Sequence, residues 1–187
     1  MDIYLSLLLN NSVINQSKEK IGTLIDLVIT DISKPHPQVK GLVIKRGLNK
    51  EAVFIAIHDV SMITVKIIRL MTDVIDLSPF VQRNDEDLLA KDVYDKQIVD
   101  IDDRRMTRVN DLLLEEEHKI LRLRGVDVSI LGLIQRLNLP NPGQIFKRNI
   151  VDWEDVQFIG GTAPMKFNIQ YKNLETLHPA DIARIIF

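Results

Sequence analysis

Apolar residues recur at every second position through much of the chain, in short runs broken by turn formers, and a period of two places side chains on alternate faces of a strand. Runs rich in Val and Ile at 39–46, 52–57, 63–70, 97–101, 119–126 and 149–152 predict strands. Pro35-His36-Pro37, Gly47-Leu48-Asn49-Lys50 and Glu115-Glu116-Glu117 separate them and predict turns. Two stretches change period. In 128–137, Ile130, Leu131, Ile134 and Leu137 recur at helical spacing, Asp127 or Ser129 can cap the start, and Pro140 and Pro142 stop it. In 172–187, Leu174, Leu177, Ile182, Ile185 and Ile186 form one helical face, with His178 as N-cap, Pro179 at the first helical position and Asp181 beside the positive end of the dipole.

The strand pattern is written twice. Ile21-Gly22-Thr23-Leu24-Ile25-Asp26-Leu27-Val28 matches Met106-Thr107-Arg108-Val109-Asn110-Asp111-Leu112-Leu113, with Asp26 on Asp111. Upstream, residues 8–13 parallel 88–93. Downstream, His58-Asp59-Val60 parallels Glu154-Asp155-Val156, and the wider spacing there marks insertions in the second copy. Strand meanders of this size protect their edges by curling into small barrels. The fold expected is therefore mainly β: two tandem β-barrels with short helices, at 1–80 and 84–171, then the start of an α-helical domain at 172–187. Residues 77–87, with Ser78-Pro79 and Asp85-Glu86-Asp87, read as the linker between the copies.

Composition narrows the function classes. Among 187 residues, hydrophobic side chains make up 45% and charged ones 27%, enough for a core. A formal net charge of -2 leaves no field that would draw the chain onto nucleic acid, which is not expected as a partner. Cysteine is absent, which removes disulfides, thiolate nucleophiles and Cys-based zinc sites and fits a reducing, cytoplasmic setting. Residues 1–9 carry Asp2 where a signal peptide has basic residues, and no run reaches the roughly 18 apolar residues of a membrane span, so direct membrane insertion is not expected.

Gly41-Leu42-Val43-Ile44-Lys45-Arg46, Ala52-Val53-Phe54-Ile55 and His58-Asp59-Val60 resemble the core of a PRC-barrel domain. In the second copy, Asp92-Val93-Tyr94-Asp95-Lys96-Gln97-Ile98-Val99-Asp100, Arg108-Val109-Asn110-Asp111, Gly125-Val126-Asp127-Val128 and Val151-Asp152-Trp153-Glu154-Asp155-Val156 resemble the PRC-barrel preceding an MgtE-type intracellular domain. Leu177-His178-Pro179-Ala180-Asp181-Ile182-Ala183 resembles the first helix of that domain. Thr107 departs from the pattern, standing where Gly22 does in the first copy. The resemblance implies a fragment of a longer protein: a non-catalytic, cytosolic regulatory or scaffolding module related to magnesium or divalent-cation transport, acting through protein contacts and associated with a membrane transporter. The acidic residues that sense magnesium in that family have no counterpart here, so no metal site is carried over, no cofactor is expected, and Mg2+ is expected to act C-terminal to this chain. A ribosome-maturation adaptor in the manner of RimM, with its barrel on a ribosomal protein, is the alternative.

The candidate chemistry is sparse. Asp26 and Asp111 could be catalytic carboxylates, but one per repeat favours a structural job accepting turn N–H groups. His36, His58, His118 and His178 show no metal-ligand spacing. Asp100, Asp102, Asp103 and 115–117 read as solvated acidic turns, and Trp153 as core. Arg104, Arg105 and Arg108, with Arg122 and Arg124 on one face of a neighbouring strand, make a candidate basic surface for a partner. That partner is a protein, the remainder of a longer chain, or a second copy in a homodimer.

Overall fold

The computed structural model describes residues 2–47, 52–100, 105–118, 120–137 and 148–158, the side chains of 105, 133 and 135 excepted. Strand β1 (Asp2–Tyr4) runs into the one-turn helix α1 (Leu5–Leu8), followed by β2 (Ser12–Ile14), β3 (Lys20–Thr30), β4 (Val39–Lys45) and β5 (Ala52–Ala56). A 3-10 turn (Ile57–Asp59) leads into β6 (Val60–Ile63) and β7 (Ile67–Leu70). Then come β8 (Glu86–Leu88), a π-helical turn (Leu89–Val93), β9 (Gln97–Asp100), β10 (Arg105–Arg108), β11 (Asp111–Glu117) and β12 (Ile120–Asp127). Helix α2 (Ile130–Arg136), β13 (Ile150–Asp152), a 3-10 turn (Trp153–Asp155) and β14 (Val156–Phe158) complete the order.

The protein is mainly β, as the period of two requires. Strands β4, β5, β9, β12 and β13 lie where the alternation predicts them, and the helical spacing in 128–137 yields α2, whose Gly132 N–H is capped by the Ser129 hydroxyl at 3.2 Å. The run 63–70 is instead split between β6 and β7, because the Thr64 hydroxyl accepts from the Ile67 N–H and closes a turn. The acidic run 115–117 extends β11, and Asp100 is buried at the end of β9, so neither lies in the solvated turn expected of it.

The strands form sheets ordered β1-β11-β12-β13, β10-β9-β14 and β5-β4-β3-β2-β7-β6, with β8 also on β3. Among the described residues no pairing closes any of these into a ring, so two separate closed barrels are not what the strands build. The two halves instead exchange strands. β1, at the start of the first half, pairs with β11 of the second (Ile3 opposite Leu114), and β8, at the start of the second half, pairs with β3 of the first (Ile29 opposite Asp87).

The register shows the halves to be equivalent in detail. Tyr4 pairs with Leu113 as Leu88 pairs with Val28, and Val13 meets Gly22 as Ile98 meets Thr107. Gly41 faces Ala56 as Gly125 faces Asp152. The bulge between Val28 and Ile29 recurs between Leu113 and Leu114. Asn10 and Asp95, both at positive φ (67° and 62°), bracket the same step, their N–H groups donating to Leu24 and Val109 carbonyls. Upstream, Leu5 therefore corresponds to Leu89 and Val13 to Ile98, and the match of 8–13 with 88–93 is out of register, produced by the repeated Leu-Leu pair. One difference is topological: β7 lies parallel beside β2 in the first half, whereas in the second β14 pairs directly with β9.

The exchange merges the cores. Leu5 and Leu8 of α1, Leu89 and Val93 of the π turn, Leu24, Leu27 and Leu42 of the first half and Leu112, Leu114, Leu123 and Trp153 of the second belong to one buried cluster. A smaller cluster of Val28, Val43 and Leu88 lies on the other face of β3, with Phe54 and Phe80 packed on it.

Candidate functional site

The two matched aspartates sit at the exchange. Asp26, 6% exposed on β3, accepts the N–H groups of Leu27 (2.8 Å), Ala90 (2.7 Å) and Lys91 (3.0 Å), the last two opening the π turn of the other half. Asp111, fully buried on β11, accepts the N–H of Leu112 (2.8 Å), the N–H of Ser6 (3.1 Å) and the hydroxyls of Ser6 (2.5 Å) and Tyr94 (2.9 Å). Ser6 lies in α1 and corresponds to Ala90. Each aspartate thus caps the opening turn that the opposite half contributes. Burial pushes the Asp26 carboxyl up to about 6 against the lowering effect of its three N–H donors, and burial raises Asp111 as well. The Tyr94 hydroxyl is raised by burial and by the neighbouring Asp111 charge.

A second cluster holds the first half's β3–β4 loop against the second half. Residues 31–38 leave β3, His36 adopts φ 46°, Pro37 is buried, and the Pro37 carbonyl accepts the Leu123 N–H at 2.9 Å. His36 then stands between three side chains. Its Nε2 is 2.7 Å from Asp152 Oδ1, its Nδ1 is 3.5 Å from Glu154 Oε1, and Arg124 Nη1 lies 3.1 Å from Nδ1. The same Arg124 Nη1 lies nearer still to Nε2, at 2.6 Å, so one guanidinium nitrogen is set against both ring nitrogens. Arg124 also reaches Asp152 (3.2 Å) and Glu115 (3.9 Å). Burial alone would raise Asp152, but the Glu154 N–H, the His36 ring and the Arg124 charge outweigh it and hold the carboxyl below the usual range. Next to it the Trp153 indole N–H donates to the Ile32 carbonyl at 3.1 Å.

The five arginines read from the sequence separate in the structure. Arg122 and Arg124 do share a face of β12, but the loop reaches that face: Gln38 forms a β-bridge with Arg122, the Gln38 amide oriented by its hydrogen bonding so that its oxygen accepts from two Arg122 nitrogens at 3.1 Å, and Arg124 joins the His36 cluster. Arg108 is exposed on β10, in a different sheet. Arg105 lies on β10 with its side chain outside the described residues, as are Arg104, Asp102, Asp103 and the whole of 172–187 with His178. His58 and His118 are exposed.

Chemically, His36, Asp152 and Glu154 bring potential ligand atoms within 4.8 Å of one another, a donor set that a divalent transition metal would accept. The Arg124 guanidinium already supplies the cation there, so the arrangement works as an ion-paired clasp between the halves. The residues that make it are 116 positions apart in the chain (His36 and Asp152), and no local spacing announced them. A third polar group joins Asp127, fully buried on β12, to Arg148, whose guanidinium lies 3.6 Å from the Tyr4 ring centroid. Among the described residues no helix is long and apolar enough to cross a membrane. No protein-family model matches the chain, and no curated protein matches it either.

Proposed function

We propose that the chain is a non-catalytic regulatory or scaffolding module, built of two PRC-type repeats, of a protein related to magnesium or divalent-cation transport, and that it works through protein contacts. The observation that carries this reading is the use made of its charged side chains. Asp26 and Asp111, the pair best placed by the repeat for chemistry, are saturated by backbone N–H and hydroxyl donors, and Arg124 is committed to His36, Asp152 and Glu115. A carboxylate whose acceptor sites are filled from its own fold is a poor general base. The family part rests on the ordered resemblance of 41–60, 92–100, 108–111, 125–128, 151–156 and 177–183.

Two measurements test it. Titration calorimetry of the chain with Mg2+ should show no saturable site at micromolar concentrations, because octahedral Mg2+ needs converging free carboxylates; a stoichiometric site would overturn the division of labour that leaves ion sensing to a neighbouring domain. Affinity capture with the tagged chain should enrich cation-transport proteins, whereas recovery of ribosomal proteins would turn the reading toward a maturation adaptor.

A further inference from the structure

The pseudo-symmetry of the halves exposes a groove that is filled in one and open in the other. By register, Thr30, Lys40, Ala56 and Asp59 of the first half correspond to Glu115, Arg124, Asp152 and Asp155 of the second. In the second half this place is covered by a proline-bearing loop, 31–38, which turns after Asp31 and again at His36 and is seated by the Leu123 N–H bond to Pro37, with His36 on Arg124 and Asp152. The reciprocal loop does not cross over. Its flanking strands stay paired, Glu116 opposite Leu121 and Glu117 opposite Ile120, with His118 at φ 50°. What remains on the first half is a cavity of about 670 Å³ between β4–β5 and the 71–86 segment.

We propose that this groove is a docking site for an extended, basic segment of a protein partner. Three observations point to that occupant. First, β5 ends its sheet, and the segment covers only the beginning of its outer edge, where Phe80 N–H donates to the Ala52 carbonyl at 2.7 Å and Pro79 pairs with Val53. The Val53–Pro79 bridge engages the outward backbone groups of Ala52 and the Phe54 N–H, so the edge left for a further strand begins at the Phe54 carbonyl and Ala56, where among the described residues no strand pairs. A strand added along this edge is a general mode of peptide recognition. Second, the stacked rings of Phe54 and Phe80, 6.1 Å apart, give the groove an apolar floor. Third, four acids (Asp59, Asp76, Asp85 and Glu86) line it against two bases, Lys40 and Arg83. Glu86 already holds the Arg83 backbone N–H and faces its guanidinium, which leaves the field over the rest of the groove acidic.

The inference rests on the reading of the chain as a protein-docking module and names the surface. The test is to pan a displayed library of random peptides against the whole chain and measure the selected peptides by fluorescence anisotropy. Selected peptides should be rich in Lys and Arg, should shift the amide signals of Phe54, Ala56 and Phe80, and should bind about tenfold more weakly to the double variant Asp59→Lys, Asp85→Lys. These side chains are surface positions, and an unchanged melting curve for the variant confirms that folding is not at issue. Selected peptides that lack basic residues, bind the reversed variant equally or shift amides elsewhere would overturn the groove. If a natural partner is captured by the native chain and equally by the variant, the docking-module reading survives and the groove fails. If no peptide is selected and no partner captured, both fail.

Discussion

Asp26 carries an ionisable group into the interior to satisfy backbone donors, and the cost of doing so depends on pH. Its folded value, pushed up to about 6 by burial, lies above the unfolded value of about 3.9, so the folded state holds the proton more tightly. The resulting stabilisation is complete below about pH 4 and is lost as the pH rises through 6. Asp111, raised in the same sense, adds to this; Asp152, held low, acts oppositely and only at more acid pH. Asp87 is likewise pushed up to about 6 by burial, so the urea midpoint should rise between pH 7 and pH 4.5, and Asp26→Asn should reduce the rise by the share that Asp26 carries. A midpoint that falls steadily over that window would contradict the assignment. Trp153 offers a second test. It is 5% exposed, packs at 5.7 Å on Phe158 and donates to the Ile32 carbonyl of the other half, so Trp153→Ala should cost about 3 to 5 kcal/mol in chemical denaturation. A near-neutral substitution would mean that the ring bridges nothing.

At the scale of elements, the repeat turns on close backbone approaches that only glycine permits. A Cβ on Gly41 would stand 2.4 Å from the Ile55 carbonyl oxygen, and one on Gly125 would stand 2.5 Å from that of Val151. Both neighbours are backbone in a paired strand and cannot swing away, so Gly41→Ala and Gly125→Ala should each destabilise by about 2 kcal/mol or more, Gly41→Ala the more strongly because its Cβ would also meet the Phe54 ring at 2.4 Å. A near-neutral effect at either site, read from thermal melts, would show that the neighbouring strand can move away. Much of this level was legible in the sequence. The alternation located β4, β5, β9, β12 and β13, the helical spacing located α2, and Asp26 on Asp111 set the repeat. The opening segments were not legible. Asp2–Tyr4 and Glu86–Leu88 are too short to show a period, and each is a strand only because a partner far along the chain supplies the ladder. The Leu-Leu pairs at 8–9 and 88–89 then drew the alignment out of register. The clasp was hidden for the same reason: His36 reads as a loop histidine between two prolines until Arg124 and Asp152 are brought to it.

The molecule as a whole is an interlocked pair of repeats. Each half lends the other its first strand and turn, each turn is capped by the host's buried aspartate, the β3–β4 loop adds an ion-paired clasp, and apolar residues of both halves pack as a single cluster. Two beads on a linker would unfold separately, whereas this arrangement couples them, since melting either half strips a strand and a cap from the other. Coupling would also suit the scaffold proposed above, because it keeps the proposed groove beside β4 and β5 in fixed relation to the second half. The sole tryptophan, Trp153, reports on the second half, and the amides of Leu42 and Ile44 on β4 report on the first. The decisive measurement is urea unfolding of the native chain and of Asp111→Ala, followed by Trp153 fluorescence and by those amide signals in parallel. The interlocked account predicts one midpoint for both probes in the native chain, and an equal shift of both when the cap on α1 is removed. Two separate transitions, or a loss confined to the fluorescence of the second half, would contradict it.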